Sequence, residues 1–190
     1  MKNLSKTEKK VALLAAFFIS SVALAEAGVF AHYSFDTDYQ DSSGNSRHGS
    51  LVDVGTLTNS GIVTTAGSYK FGGGAMDFSN DNDYVALPSK TFSSGAPYTI
   101  AFWAQVDSAS RQWNMALGEV GASTFFIAPN GVSDNLRWRS NSSVAARQAD
   151  FATGVNDTAW HHYVVVADGG TVTTYLDGSV VSTATGKSTG

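Results

Sequence analysis

The 190-residue chain contains no cysteine, so it has neither a disulfide framework nor a thiol nucleophile. Proline occurs only three times and charged residues make up only 15% of the chain, whereas glycine occurs 19 times. This composition differs from that of a disordered linker, which is rich in proline and charge. The length suffices for one domain with a substantial apolar core. No apolar run beyond residue 25 is long enough to span a membrane.

The first 25 residues have the pattern of an export signal. Four lysines precede the apolar run Val11–Ala25, which ends in an Ala-x-Ala site. Cleavage is expected after Ala25, with a second suitable site after Ala27. An uncleaved membrane anchor is the alternative, although the run is shorter than the roughly 20 residues of a spanning helix. We therefore predict an extracellular or cell-surface protein, with the periplasm as a further option, and a single domain over residues 28–190.

Removal of residues 1–25 leaves an acidic chain. That segment holds four lysines and one glutamate, so eight basic and fifteen acidic residues remain, a net charge of −7. Apart from Arg137 and Arg139 no basic cluster is left, and nucleic acid is not an expected partner. The acidic excess favours solubility and cation binding instead.

The mature chain is composed of strand patterns separated by turns. In Tyr98–Asp107 the residues alternate, which predicts one buried and one outward face. The predicted shared face consists of Tyr98, Ile100, Phe102, Ala104 and Val106. Asp168-Gly169-Gly170 and Asp177-Gly178 each separate two β-rich runs, a hairpin signal because such turns need positive φ. Shorter strand candidates are "VFAHYSF", "AMDF", "YVALP", "FFIAP", "NLRWRS" and "RQADF". This pattern predicts an all-β antiparallel sandwich or jelly roll.

Four segments, in order, resemble the laminin G-like, concanavalin A-like lectin/glucanase superfamily. They are "YSFDTDYQDSSGNSRHG", "GGGAMDFSNDNDYVALP", "YTIAFWAQVD" and "WHHYVVVADGGTVTTYLDGSVV". The resemblance is closest to bacterial secreted and carbohydrate-associated members. It implies a concanavalin A-like β-sandwich but no particular ligand, because one fold hosts many functions. Family members continue with a last strand beside the first. The sequence printed here stops before that strand, so we expect a domain truncated at its C-terminus or completed by another chain.

Two adjacent histidines, His161 and His162, raise the question of a catalytic or metal-binding pair. Successive side chains of a strand point to opposite faces, so these two imidazoles cannot easily chelate one metal or form one proton relay. We interpret them as strand residues, one packed in the sandwich and the other facing outward.

Asp36, Asp38, Asp41 and Asn45 form an oxygen-rich, turn-rich segment. Ca²⁺ takes six to eight such oxygen ligands, and flexible loops supply them. The resemblance implies a structural Ca²⁺ where the N-terminal segment meets the last strand, so these residues are candidate calcium ligands. The alternative is that they only form Asx-type turns. The "SNDND" loop, Ser79–Asp83, is a second oxygen-rich stretch, for which a polar hairpin is the simpler interpretation.

Trp113, Arg137, Trp138 and Arg139, together with Gln105, are candidates for a sugar-binding surface. Such surfaces combine an aromatic platform with planar polar groups. Trp138 lies between the two arginines in one strand and faces opposite to both, so only one of these two sets can face a ligand. Trp103 and Trp160 are expected in the core.

A catalytic set is not recognisable. Glycosidases of this fold use acids at alternate strand positions, but the E-x-D-x-x-E pattern is absent and Glu26 and Glu119 are the only glutamates after residue 25. Three hypotheses follow. The first is a secreted, non-catalytic module that binds carbohydrate or extracellular matrix. The second is an adhesive or structural surface protein with a C-terminal sorting tail, and the third is an accessory module of a longer glycoside hydrolase.

Overall fold

The computed structural model describes residues 28–54, 60–78, 83–105, 117–118, 126–128, 135–140, 145–152 and 157–189. These residues contain twelve strands and one 3-10 turn, Ala145–Arg147. The strands are β1 (Ser50–Val52), β2 (Gly61–Val63), β3 (Ala75–Asp77), β4 (Tyr84–Ala86), β5 (Tyr98–Ala104), β6 (Leu117–Gly118), β7 (Phe126–Ala128), β8 (Leu136–Arg139), β9 (Gln148–Phe151), β10 (His161–Asp168), β11 (Thr171–Leu176) and β12 (Ser179–Ala184). In the described ranges, no helix has the length and apolar character needed to cross a membrane.

Sheet A contains the longest strands, in the order β12-β11-β10-β5, all antiparallel. Two-residue turns join β10 to β11 and β11 to β12. Gly169 and Gly170 have φ of 51° and 86°, and Asp177 and Gly178 have φ of 48° and 82°. Positive φ at both central residues gives a turn whose twist matches the flanking strands. Both predicted hairpins are therefore present.

Sheet B is formed by the shorter antiparallel strands in the order β6-β7-β8-β9. The sheets pack face to face, and the core lies between them. Sheet B contributes Ile127, Leu136, Trp138 and Phe151, and sheet A contributes Tyr163, Val165, Ala167 and Val172. The antiparallel β-sandwich predicted from the sequence is confirmed.

The alternation of β5 is also as predicted. Tyr98, Ile100, Phe102 and Ala104 pack against the core, whereas the residues between them are exposed. Val106, assigned to the same face, lies outside the described residues.

The N-terminal part of the domain differs from the strand prediction. Residues 29–35 form no strand; their β-type pairing is an isolated bridge between Tyr33 and Asp41. Phe35 has a φ of 56°, which turns the chain there. Farther on, β3 pairs with β2 and β4 pairs with β1. These short pairings join segments that are distant in sequence, so local pattern does not reveal them.

Candidate functional site

Three side chains form an exposed aromatic patch on the outer face of sheet A: Phe71, Trp103 and His162. The Trp103 and His162 rings stack with centroids 5.1 Å apart and planes 28° apart. Phe71 meets Trp103 edge-on, also at 5.1 Å. Phe71 is 64% exposed and Trp103 is 38% exposed. The Lys70 ammonium lies 5.4 Å from the Trp103 ring centroid and adds a cation at the border of the patch.

The sheet register positions two members of the aromatic patch. Trp103 of β5 is directly opposite His162 of β10, and both side chains point away from the core. Directly opposed residues have Cβ atoms about 5 Å apart, which brings the two rings together.

Phe71 is held by a turn that docks against the N-terminal segment. The Asp36 carboxylate accepts a hydrogen bond from the Gly73 N–H at 2.6 Å. Gly72 has a φ of 71°, and a Cβ atom there would lie 1.9 Å from Asp36 Oδ1. The positive φ favours glycine here, and any side chain would also displace the Asp36 carboxylate. The Gly73 hydrogen bond is the main cause that lowers the pKa of Asp36, so the carboxylate is charged at neutral pH.

The expectation that Trp103 lies in the core is wrong. Its position in β5 is one residue out of step with the inward set, and alternation therefore places it outside. The period of the strand already contained this information. Alternation along the strand decides on which face Trp103 lies, despite the general preference of tryptophan for burial.

Around the aromatic patch, the outer face of sheet A carries small, apolar and hydroxyl-bearing side chains. Ala101, Val164, Tyr175 and Val180 are in register across the four strands. The neighbouring row consists of Thr99, Val166, Thr173 and Thr183. Asp168, at the end of β10, is the only Asp, Glu, Lys or Arg in the four strands.

The predicted arginine and tryptophan site on β8 is divided between two faces. Trp138 is completely buried, and its indole N–H donates to the Tyr98 hydroxyl at 2.9 Å. A side chain in this position fills the core rather than a sugar-binding surface. Of the two alternative sets, only the arginines therefore face away from the core. Trp113 lies outside the described residues, and Gln105 donates to the Thr158 carbonyl at 2.6 Å.

Both arginines of β8 are engaged by the next strand. Arg137 makes a two-pronged ion pair with Asp150, with both N···O distances 2.5 Å. Arg139 donates to Gln148 Oε1 at 3.0 Å. Asp150 is the first cause of the raised pKa of Arg137. The planar donors predicted for a ligand thus form hydrogen bonds within sheet B.

The four candidate calcium ligands satisfy local backbone groups instead of converging. Asp41 is only 6% exposed and accepts N–H bonds from His32, Ser43 and Arg47 at 2.9 to 3.0 Å. Desolvation opposes charge on Asp41, but hydrogen bonds from Ser43, His32 and Arg47 outweigh it and lower its pKa. A carboxylate used in this way organises a loop.

The other three candidates have similar local partners. Asp38 Oδ1 caps the Gln40 N–H at 2.9 Å, as in an Asx turn, and Asp36 holds Gly73 as described above. The Asn45 amide donates to the Val29 and Phe30 carbonyls. Within the described ranges no three His, Cys, Asp or Glu residues form a metal-binding group. In this arrangement the four residues do not fit a calcium cage, and calcium binding stays a prediction.

The "SNDND" loop is described only at Asp83. Its carboxylate accepts from the Val54 N–H at 2.7 Å and the Ser60 hydroxyl at 2.5 Å. These bonds connect the start of β4 to the segments around β1 and β2. Residues 79–82 lie outside the described residues.

His161 and His162 point to opposite faces, as the strand geometry predicts. His161 Nδ1 lies 2.7 Å from Asp177 Oδ2, and its Nε2 lies 3.0 Å from Asp157 Oδ1. Burial lowers the pKa of His161, but the bonds to Asp177 and Asp157 outweigh it, and the net shift is upward. Because both ring nitrogens face carboxylates, His161 is not arranged to activate a nucleophile. It connects the start of β10 to the β11–β12 turn.

Two solved structures are similar to the chain. Domain 4 of AbnA, an extracellular GH43 arabinanase from Geobacillus stearothermophilus solved with arabinotriose, is 24% identical, with a TM-score of 0.60 over 82% of this chain and 74% of that one. An S-layer domain-containing protein from Clostridium thermocellum ATCC 27405 is also 24% identical, with a TM-score of 0.46 over 81% of this chain and 71% of that one. At this identity the first likeness concerns the fold.

A search of curated proteins finds no match. The model of one laminin G-type family, described as the concanavalin A-like lectin/glucanases superfamily, matches residues 78–189. That range is more than half of the chain and includes both sheets of the sandwich. The chain therefore belongs to the concanavalin A-like lectin/glucanase superfamily.

Proposed function

We propose that the protein is an exported, non-catalytic carbohydrate-binding module and that its aromatic patch contacts the sugar. The observation that carries this proposal is the exposure of Trp103 and Phe71 on an open sheet face. An exported location is supported by the signal pattern of residues 1–25.

Stacking explains why such a patch suits a sugar. The C–H groups on one side of a sugar ring form an apolar surface, and an aromatic ring removes that surface from water while the hydroxyls stay solvated. Trp103 is already oriented by its contacts with His162 and Phe71. A ring fixed in advance loses little conformational entropy when it binds.

The non-catalytic part of the proposal is supported by the acids around the sheets. Asp36, Asp41, Asp150 and Asp177 accept hydrogen bonds from the protein itself. A glycosidase needs two carboxyl groups placed on either side of one glycosidic bond. The sequence lacks the spacing that supplies such a pair in this fold.

Domain 4 of the arabinanase suggests a first ligand to test, because it was solved with arabinotriose. At 24% identity that likeness does not transfer the ligand, so the test should begin with a broad set of neutral and acidic glycans. An accessory module of a longer hydrolase would use the same surface in the same way.

The test is a glycan array with the whole mature chain, with and without Ca²⁺, followed by calorimetry on the best glycan. Trp103→Ala should weaken binding about 10- to 100-fold, the usual cost of removing a central aromatic contact. Phe30→Ala is the matched control, since Phe30 is also an exposed ring in contact with a lysine, Lys90. Absence of binding by the folded chain on every glycan would overturn the proposal.

The second candidate function is adhesion through a protein partner, which the exposed Phe71 and Trp103 rings also favour. This alternative predicts that no glycan on the array is bound. It also predicts that Trp103→Ala abolishes attachment to a protein-coated surface.

A further inference from the structure

The outer face of sheet A has an unusual chemistry for a solvent-facing sheet. Antiparallel sandwiches normally alternate buried apolar residues with outward polar and charged ones. Across the chain 15% of residues are charged, yet the four strands of sheet A contain a single charged residue, Asp168, at the end of β10. The face carries hydroxyls and hydrocarbon instead.

This face continues from the aromatic patch to the far edge of the sheet. The row Ala101, Val164, Tyr175 and Val180 crosses all four strands in register. With about 4.8 Å between strands, the row spans about 14 Å. Tyr175 supplies a second aromatic ring on this row, and Val180 at the edge is 60% exposed.

The polar groups of the two rows that cross sheet A are neutral. Thr173 and Thr183 lie opposite each other in β11 and β12, with their hydroxyl oxygens 3.2 Å apart. Together with the Tyr175 phenol they can donate to and accept from sugar hydroxyls. These hydroxyls carry no positive charge that could form an ion pair with a carboxylate or sulfate along the ligand, and the Lys70 ammonium lies at the border of the aromatic patch, over the Trp103 ring.

We propose that the ligand of this site is a neutral polysaccharide bound across the strands of sheet A through its internal residues. This inference rests on the proposed function. One sugar contacts the aromatic patch, and a later sugar of the same chain contacts Tyr175. The net charge of −7 after residue 25 disfavours a polyanion over the same path. A sheet face suits an internal stretch of polymer, because the polymer continues beyond the site in both directions, which an enclosed pocket does not allow.

Calorimetry with a graded series of oligosaccharides tests this inference, using the neutral glycan that binds best on the array. For the wild-type chain, affinity should rise with length until the oligosaccharide reaches from Trp103 to Tyr175. Tyr175→Ala should weaken the binding of long oligosaccharides about tenfold. The affinity for the shortest oligosaccharides that bind should stay unchanged. Tyr175→Phe keeps the ring and should behave nearly as wild type. Trp103→Ala should weaken the binding of short and long oligosaccharides alike.

A second variant keeps the test informative if Tyr175→Ala does not fold. Val180→Glu changes a side chain that is already 60% exposed, so the fold should tolerate it. It should weaken the binding of the long oligosaccharides only. In a separate comparison, a carboxymethylated form of the same glycan should bind the wild-type chain less tightly than the neutral form.

The possible results separate this inference from the proposed function. Affinity that is independent of length, together with loss of binding in Trp103→Ala, would overturn the extended path and leave the carbohydrate-binding module intact. Tighter binding of the acidic form would overturn the neutral ligand class. Absence of binding to any glycan would overturn both.

Discussion

The outer faces of the two sheets differ in how their polar groups are used. On sheet B, Arg137 and Asp150 form a close ion pair, with side chains 12% and 33% exposed. On sheet A, Trp103 and Phe71 are exposed and no charged side chain lies within the rows beside them. Charges that bind each other stabilise a sheet, whereas exposed rings retain their capacity to bind something else. The exposed tryptophan is therefore a better guide to function than the arginines.

The two tryptophans Trp138 and Trp103 give the largest contrast. Trp138→Ala should reduce the free energy of unfolding by about 3–5 kcal/mol, because it opens a cavity between the sheets and removes the indole N–H that donates to the Tyr98 hydroxyl. Trp103→Ala, on the outer face, should cost less, about 1–2 kcal/mol, because this partly exposed ring loses only its contacts with Phe71 and His162. Urea denaturation of both variants measures the difference. Equal losses would contradict the assignment of inner and outer faces.

The ion pair of sheet B gives an intermediate effect. Asp150→Ala removes two hydrogen bonds to a charged group and leaves the Arg137 guanidinium with less compensation. Because Asp150 is one-third exposed, we expect a loss of about 1–2 kcal/mol rather than the full cost of a buried pair. A double-mutant cycle with Arg137→Ala isolates the pair. Glycan affinity should stay unchanged in both variants. A loss of affinity would indicate that the ligand binds on sheet B instead.

The smallest expected effect depends on pH and arises at the start of β10, where His161 contacts Asp157 and Asp177. The pKa of His161 is raised in the folded state, so its contribution is complete below the unfolded value of about 6.5 and is lost as pH rises through the folded value. The pKa values of Asp157 and Asp177 are lowered, first by the Ala159 and His162 backbone N–H groups. Their contribution is present above the unfolded Asp value of about 3.9 and is lost as pH falls through the folded values.

Melting temperatures between about pH 5 and pH 8 test this arrangement. The wild-type melting temperature should fall by about 1–2 °C relative to His161→Gln as pH rises across this range. The neighbouring Tyr163 does not interfere, since burial and then the charges of Asp177 and Asp157 raise its pKa to about 12. Parallel curves for the two proteins would show that the histidine contributes no charged pair. The aromatic patch should bind glycan equally in both.

The sequence predicted best what is local in the fold. Both hairpins of sheet A follow from short turns in which Gly170 and Gly178 adopt positive φ. The inward face of β5 follows from strict alternation. The segment 29–35 was predicted as a strand, but its bridge to Asp41 depends on a loop that Asp41 itself organises through three backbone hydrogen bonds. Such contacts are not encoded in a local period.

The candidate site was harder to predict, because its members come from separate parts of the chain. Phe71 belongs to a glycine-rich turn, Trp103 to β5 and His162 to β10, and they meet only when the sheet forms and Asp36 holds the turn. The residues chosen from sequence, Trp138 and the arginines beside it, have the right chemistry for a sugar. In the folded protein, however, Trp138 packs in the core and donates to Tyr98, and Arg137 pairs with Asp150.

The most direct test of the account is an NMR titration that follows the tryptophan indole N–H and arginine Nε–H signals while the array-selected neutral glycan is added. The account predicts that the Trp103 indole signal shifts with glycan concentration, while those of Trp138, Arg137 and Arg139 stay in place. Shifts of the two arginine signals with an unchanged Trp103 signal would contradict it, and would place the ligand on sheet B.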